Sequence, residues 1–242
     1  MNSPPVLPGS TGQAATPSTT IVFAIAPADP VTFDGDSVTA GWDNATAGPD
    51  STFSWTVPFI SAVNAAYAAA GKTAPVFTNV AVGGRTSTAT AANVATATAT
   101  KPYHIFLLSS VNDQADSVSP TTTYNNYLTY FAAVLAACPG CRIWVISNNW
   151  GSVENWPRGA GPDDSGIDAT NAAIVSAVAT CPFATYINTV GPIYTIDEPA
   201  QNPTNLATGV LVQSMGGDHP TKPAGQNAIT NVVLANVTLV FT

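Results

Sequence analysis

The chain has 242 residues, of which 45% are hydrophobic and only 8% are charged, and its formal net charge is −8. This length and apolar content suit one large α/β domain with a substantial core, or at most two small domains. The six Lys and Arg residues are scattered along the sequence and cannot form a basic patch, which excludes nucleic acid and anionic membrane surfaces as expected partners.

The low charge also bears on where the protein works. Because charged residues are few, most of the surface must consist of Thr, Ser, Asn, Ala and Gly, as on secreted and virion proteins. We therefore expect an extracellular or virion-associated location, although no signal peptide is visible. No segment is long and apolar enough to span a bilayer. The sequence does not indicate an oligomeric state.

Residues 1–20 are rich in Pro, Ser, Thr and Gly and lack periodicity, which predicts a flexible tail before a single domain at 21–242. Within that domain, short apolar runs alternate with segments whose apolar residues recur at helical spacing. The predicted strands are 31–33, 76–82, 105–109, 143–147 and 185–190. The predicted helices are 53–70, 88–100, 124–137, 167–180 and 224–234. The remaining features are extra edge strands at 21–26 and 237–241 and a polar loop at 43–51.

The alternation of strands and helices predicts a three-layer α/β/α sandwich, in which helices cover both faces of a central, mostly parallel five-stranded sheet. Ligands bind such sheets outside the carboxyl ends of the strands. Candidate functional residues fall at that edge, after successive strands or in the last loop: Ser37, Gly84, Asn112 and His219. This edge is therefore the predicted functional site.

Ser37 follows the first predicted strand, where the apolar run stops abruptly at Asp34. A serine at such a position can be a nucleophile if a histidine and an oxyanion site converge on it, but it can also cap the next helix. The chain has only two histidines. His104 lies at the amino end of the third strand, on the order of 25 Å from the predicted site. A serine hydrolase would therefore have to use His219 as its base.

Four segments of the chain resemble, in order, the four motif blocks of the SGNH (GDSL-type) hydrolase family. They are Asp34-Gly-Asp-Ser-Val-Thr-Ala-Gly41, Asn79-Val-Ala-Val-Gly-Gly-Arg-Thr-Ser87, Ser110-Val-Asn-Asp113 and His219-Pro-Thr221. The resemblance runs from about residue 31 to the C-terminus and is specific, because the blocks occur together and in order. It implies a flavodoxin-like sandwich and a serine esterase that needs no metal or other cofactor.

The resemblance also implies roles for individual residues. Ser37 would be the nucleophile and His219 the base, while the N–H groups of Ser37 and Gly84 and the side-chain amide of Asn112 would stabilise the oxyanion. Other interpretations exist for two of these residues. Gly84 could serve only a turn that needs positive φ, and Asn112 could simply end a strand.

The chain departs from the family pattern at two positions. Ser110 replaces the usual glycine of the third block, and Gly216 stands where the family has an aspartate three residues before the histidine. The nearest acid is Asp218, directly before His219. Three interpretations follow: the loop bends so that Asp218 still reaches the imidazole, a backbone carbonyl orients His219, or the activity is impaired.

Three tryptophans are candidates to line an acyl or sugar pocket: Trp42, Trp150 and Trp156. The expected activity is hydrolysis of small acyl or acetyl esters through an acyl-enzyme, and carbohydrate esters are among the candidate substrates. Two alternatives use the same fold: a non-catalytic carbohydrate-binding or adhesion module, and an acyltransferase. Asp36 and Asp113 are expected to brace their loops through hydrogen bonds.

The three cysteines, Cys138, Cys141 and Cys181, can form at most one disulfide between them. Cys138-Pro-Gly-Cys141 has the spacing of a redox motif. It lies, however, where a predicted helix ends and a strand begins. We therefore expect either one small structural disulfide or free thiols.

Overall fold

A computed structural model of the protein describes residues 23–43, 46, 48–148, 164–189, 219 and 222–242, so the predicted tail at 1–20 lies outside the described residues. The described strands are β1 (Ala24–Ile25), β2 (Pro30–Gly35), β3 (Trp42–Asp43), β4 (Gly48–Pro49), β5 (Val76–Asn79), β6 (His104–Leu108), β7 (Arg142–Ile146), β8 (Ala184–Ile187) and β9 (Thr238–Leu239). The described helices are α1 (Ser37–Ala40), α2 (Thr56–Ala69), α3 (Ser87–Ala92), α4 (Val94–Ala97), α5 (Pro120–Ala137), α6 (Asp164–Ala179) and α7 (Ala224–Asn236), with a 3-10 turn at Ser51–Phe53. None of these helices is long and apolar enough to cross a membrane.

Within the described residues, five strands form one parallel sheet in the order β5-β2-β6-β7-β8. In the pairing of β2 with β6, Val31 lies opposite His104 and Gly35 lies opposite Leu108. β6 is buried along its whole length, as expected for a parallel strand that is covered on both faces. The predicted α/β fold with a central parallel sheet is confirmed.

Helices cover both faces of the sheet, and each face has its own group of buried side chains. Successive side chains of a strand point to opposite faces. On one face, Phe33, Phe106 and Trp144 pack with apolar residues of α2 and α7. On the other face, Ile105 and Leu107 pack with apolar residues of α5 and α6. These two layers hold the sheet between them and leave the carboxyl ends of its strands at one edge.

The short strands outside the main sheet differ from the prediction. β1 and β9 form, but they pair with each other in a separate parallel sheet and do not extend the main one. Part of the predicted polar loop at 43–51 is also paired, because β3 lies antiparallel to β4. The pairing of β1 with β9 joins segments from distant parts of the chain, which hydrophobic periodicity cannot reveal.

The predicted helices differ from the observed ones by a few residues at their ends, and in two of them the difference has a local cause. α5 begins at Pro120, earlier than predicted, because Ser119 caps it by accepting the N–H of Thr122 and proline is favoured in a first turn. The predicted helix at 88–100 is divided into α3 and α4 at Asn93. The Asn93 side chain donates to the carbonyl of Ala89, a side-chain contact that competes with regular helix bonding.

His104 and the cysteines belong to the body of the fold. His104 Nδ1 accepts the indole N–H of Trp144 at 3.3 Å, and Nε2 lies 3.2 Å from a carboxylate oxygen of Asp29. Burial lowers the pKa of His104, which favours a neutral ring whose proton is on Nε2. The ring lies at the start of β6, at the opposite edge from the carboxyl ends of the strands.

All three cysteines are buried and free, which agrees with the expectation of free thiols.

Candidate active site

The turn that carries Ser37 is shaped by the two residues before it. Gly35 ends β2 with φ of +143°, and a Cβ at this position would overlap the carbonyl oxygen of Leu108 on β6, so only glycine fits. The N–H of Asp36 donates to the same carbonyl at 3.2 Å. The Asp36 carboxylate caps α1 by accepting the N–H of Val38 at 3.1 Å. The capping group of α1 is therefore Asp36 and not the Ser37 hydroxyl.

The imidazole of His219 contacts the hydroxyl of Ser37. His219 Nε2 lies 2.7 Å from Ser37 Oγ, which is a normal hydrogen-bonding distance. Ser37 is only 7% exposed and His219 is half-buried, so the contact is partly shielded from bulk water. A histidine in this position can accept the proton of the serine hydroxyl.

Trp42 packs on the ring of His219. The two rings are stacked, with centroids 5.6 Å apart and planes 18° apart. The indole also lies beside the next loop, because a Cβ on Gly83 would be 3.9 Å from it. Trp42 is thus a neighbour of the imidazole. Its predicted role in a substrate pocket stays a prediction, and Trp150 and Trp156 lie outside the described residues.

The loop after β5 passes next to Ser37. The N–H of Val82 donates to the carbonyl of Gly35 at 3.1 Å, which ties the loop to the end of β2. A Cβ on Gly83 would lie 3.7 Å from the Cβ of Ser37. Gly84 follows with φ of +78°, a conformation that favours glycine. Gly84, whose N–H is a predicted oxyanion donor, thus lies in a loop that passes close to Ser37.

Asn112 follows β6 and contacts the same loop. Its Nδ2 donates to the carbonyl oxygen of Arg85 at 3.0 Å. Because an amide nitrogen carries two hydrogens, this bond occupies one of them. The contact links the loops after β5 and β6, which hold the predicted oxyanion donors Gly84 and Asn112.

Two buried aspartates brace these loops, as predicted. Asp113 accepts the N–H of Ser87 at 2.7 Å and the hydroxyl of Thr123 at 2.6 Å. Asp36, besides capping α1, accepts the N–H of Val111 at 3.4 Å. Burial raises the pKa of both carboxyl groups, that of Asp36 to about 7.

Sequence reasoning did not identify a buried ionic group behind the Ser37 turn. Asp34 is fully buried, and its carboxylate lies 3.1 Å from Nη1 of Arg85. The hydroxyl of Tyr130 donates to the second carboxylate oxygen at 2.9 Å. Burial raises the pKa of Asp34, while Tyr130, the Gly35 N–H and Arg85 act in the opposite direction. The sequence contained one signal of this buried group, which was the acidic residue Asp34 at the end of an apolar run.

Ser110, which replaces a family glycine, keeps the backbone conformation of a glycine. Its φ is +90°, which is strained for a residue with a side chain. The residue is fully buried. Its hydroxyl contacts the carbonyl of Ser109 and lies 3.1 Å from the hydroxyl of Tyr127.

Gly216 and Asp218 lie outside the described residues. In the part of the chain that the structure describes, no group of three or more His, Cys, Asp or Glu side chains could hold a metal ion.

A parallel sheet between two helical layers, with a serine hydroxyl and an imidazole in contact at its carboxyl edge, is typical of hydrolases of the α/β class. The model of the GDSL-like Lipase/Acylhydrolase family matches residues 33–222. The chain therefore belongs to the GDSL-like lipase/acylhydrolase family, which confirms the resemblance of its motif blocks. A search of curated proteins found no match.

Several solved structures share the fold at low sequence identity. The lipase/acylhydrolase from Enterococcus faecalis is 15% identical, with a TM-score of 0.65, over 86% of this chain and 94% of that one. An alpha/beta hydrolase enzyme from the metagenome of Lake Arreo, Spain, is 16% identical, with a TM-score of 0.65, over 88% and 97%. The psychrotrophic esterase EstA from Pseudoalteromonas sp., in a structure inhibited by monoethylphosphonate, is 14% identical, with a TM-score of 0.57, over 86% and 95%. At these identities the likeness is one of fold.

Proposed function

We propose that the protein is a serine esterase that hydrolyses small acyl or acetyl esters, including those on carbohydrates, through an acyl-enzyme on Ser37. The observation that carries the proposal is the 2.7 Å distance between His219 Nε2 and Ser37 Oγ. Membership of the lipase/acylhydrolase family supports ester hydrolysis. In this proposed enzyme, residues 21–242 form one catalytic domain and residues 1–20 are its tail.

In the first half of the proposed reaction, Ser37 Oγ forms a bond to the ester carbonyl carbon while its proton moves to Nε2 of His219. The carbonyl π electrons move onto the oxygen, which becomes an oxyanion. When this intermediate collapses, the bond to the alcohol breaks and the alcohol leaves with the proton from His219. In the second half, a water molecule attacks the acyl-enzyme by the same steps and releases the acid.

The proposed oxyanion donors are the N–H groups of Ser37 and Gly84 and the side-chain amide of Asn112. Their placement is supported by the approach of the Gly83 backbone to Ser37 and by the contact between Asn112 and the carbonyl of Arg85. Removing one donor of this kind typically lowers turnover by about 10²–10³.

Asp218 is the candidate for the third member of the triad, and one variant decides its role. In other serine hydrolases, loss of the orienting carboxylate can cost about 10⁴ in turnover. If Asp218→Ala loses as much activity as His219→Ala, Asp218 orients the imidazole. A mild loss would instead favour a Ser-His dyad.

The proposal is tested by hydrolysis of p-nitrophenyl acetate. Ser37→Ala and His219→Ala should each abolish cleavage, whereas His104→Gln, which changes the other histidine, should retain it. Circular dichroism of each variant would show that the fold is intact. Wild-type rates in either site variant would refute the assignment, and an inert wild-type protein would favour the non-catalytic binding module.

A further inference from the structure

We infer that Arg85 is a positioning residue of the oxyanion site. Its guanidinium is anchored on the buried carboxylate of Asp34, and its backbone carbonyl holds the side-chain amide of Asn112. The inference rests on the proposed function, because it assigns Arg85 a part in aligning the proposed oxyanion donors.

The anchor lies at the end of β2, just before the turn that carries Ser37. Arg85 Nη1 is 3.1 Å from Asp34 Oδ1; the Asp34 side chain has no solvent exposure, and that of Arg85 is 13% exposed. The hydroxyl of Tyr130 donates to Asp34 Oδ2 at 2.9 Å, and the N–H of Gly35 donates to Oδ1 at 2.9 Å. Both carboxylate oxygens are therefore engaged. Displacing the guanidinium would leave a charge poorly paired in a buried environment, which holds Arg85 in one place.

The backbone of Arg85 belongs to the turn that carries Gly84. The N–H of Arg85 donates to the carbonyl of Val82 at 3.4 Å, which closes the turn around Gly84. The carbonyl of Arg85 accepts the Asn112 amide at 3.0 Å. A shift of Arg85 would therefore move the Gly84 N–H and the Asn112 amide together.

Arg85 thus connects three segments that are separate in the sequence: the end of β2, the turn after β5 and the loop after β6. Each segment supplies one of the proposed oxyanion donors, which are Ser37, Gly84 and Asn112. Such donors act because they are fixed where the charge develops, and a misplacement of about 1 Å can cost about 100-fold in rate. We therefore expect the ion pair to affect turnover and not only stability.

The two effects can be separated by removing one charge or both. Arg85→Met leaves the Asp34 carboxylate buried without its cation, which destabilises the fold. The double variant Asp34→Asn/Arg85→Met removes both charges, and a buried ion pair that is replaced in this way often costs little net stability. The double variant should therefore recover stability while still lacking the anchor.

The experiment measures kcat and KM for p-nitrophenyl acetate and the midpoint of urea unfolding for each variant. Arg85→Met and the double variant should both lose about 10- to 100-fold in kcat, with KM changed by less than about threefold. The double variant should unfold at a higher urea concentration than Arg85→Met. The matched control is Arg142→Met, at the amino end of β7 and away from the site, which should keep the wild-type kcat.

A second measurement links Arg85 to the oxyanion donors. Because part of the effect of Arg85 passes through Asn112, the combined loss from Arg85→Met and Asn112→Ala should be smaller than the product of the two single losses. The remaining effect of Arg85→Met in the Asn112→Ala background would come from the Gly84 N–H. Wild-type kcat in the Asp34→Asn/Arg85→Met variant would overturn the inference. Losses from Arg85→Met and Asn112→Ala that multiply fully would also overturn it. Activity of Ser37→Ala at the wild-type level is a different result, because it would refute the proposed function itself.

Discussion

His219 Nε2 lies 2.7 Å from Ser37 Oγ although 182 positions separate the two residues in the sequence. Polar contacts join α7, which follows His219, to the segment that precedes α2. The amide of Gln226 donates to the carbonyls of Thr52 and Ser54 at 2.8 and 3.1 Å. The hydroxyl of Ser54 in turn donates to the carbonyl of Thr39, in the helix that begins with Ser37, at 2.6 Å. These contacts hold α7 close to the Ser37 turn.

Gln226→Leu should therefore lower the stability of the fold and weaken the contact between His219 and Ser37. The variant leaves the buried carbonyl of Ser54 and the partly buried carbonyl of Thr52 without their donor. The loss at Ser54 should lower the free energy of unfolding by about 1–3 kcal/mol. It should also lower kcat, since the helix after His219 loses an attachment. Urea unfolding and ester hydrolysis measure the two effects. Asn227→Ala, at the exposed neighbouring position, is the control, and equal stability of the two variants would contradict the prediction.

The kinetics of Trp42 variants can show whether this residue acts by stacking on His219 or by contacting the substrate. In the proposed reaction His219 becomes an imidazolium, which the stacked indole of Trp42 should stabilise by about 1–2 kcal/mol. Trp42→Leu should therefore lower kcat about tenfold, and Trp42→Phe, which keeps an aromatic face, should lower it less. An increase in KM without a change in kcat would instead support the predicted pocket role.

The strained backbone at Ser110 predicts an order of stability between two variants. Ser110→Gly and Ser110→Ala both lose the contact between the serine hydroxyl and Tyr127, so their difference reports on the backbone. At a φ of +90°, glycine should be more stable than alanine by about 1 kcal/mol. Thermal or urea unfolding measures this difference. Equal stability would show that the backbone is not strained at this position.

The carboxyl group of Asp36 predicts a dependence of stability on pH. Burial raises its pKa from 3.8 to about 7 in the folded protein. The folded state therefore binds this proton more tightly than the unfolded state does. The resulting stabilisation is complete below about pH 4 and is lost as the pH rises through 7. Relative to Asp36→Asn, the wild-type protein should lose stability between pH 4 and 8 in urea unfolding. A difference between the two proteins that does not change with pH would contradict the raised pKa.

The elements that sequence reasoning predicted well are those with a local signal. The alternation of apolar runs and helical spacing predicted every strand of the main sheet. The block around Gly35 and Ser37 was recognisable in the sequence. Its glycine has a physical reason, because any side chain at position 35 would overlap the carbonyl oxygen of Leu108. The predicted strand at 76–82 is longer than β5, which ends at Asn79, but the N–H groups of Val80 and Val82 still donate to carbonyls of β2.

The features that were missed depend on contacts between distant residues. Asp34 and Tyr130 are 96 positions apart, and Asp34 and Arg85 are 51 apart. No spacing rule relates such residues, because their contact is created by the packing of α5 and the loop after β5 against β2. The stacking of Trp42 on His219 likewise joins residues that are far apart in the sequence. By contrast, the family pattern pointed to Ser110, although its positive φ became evident only in the structure.

The central claim is that Ser37 is a nucleophile activated by His219, and covalent labelling tests it most directly. A fluorophosphonate is a suitable probe, because it forms a covalent bond with an activated serine hydroxyl. Intact mass and peptide mapping should show one adduct on Ser37 in the wild-type protein, much slower labelling of His219→Ala and no labelling of Ser37→Ala. An adduct on another residue, or equal labelling of Ser37→Ala and wild type, would contradict the account.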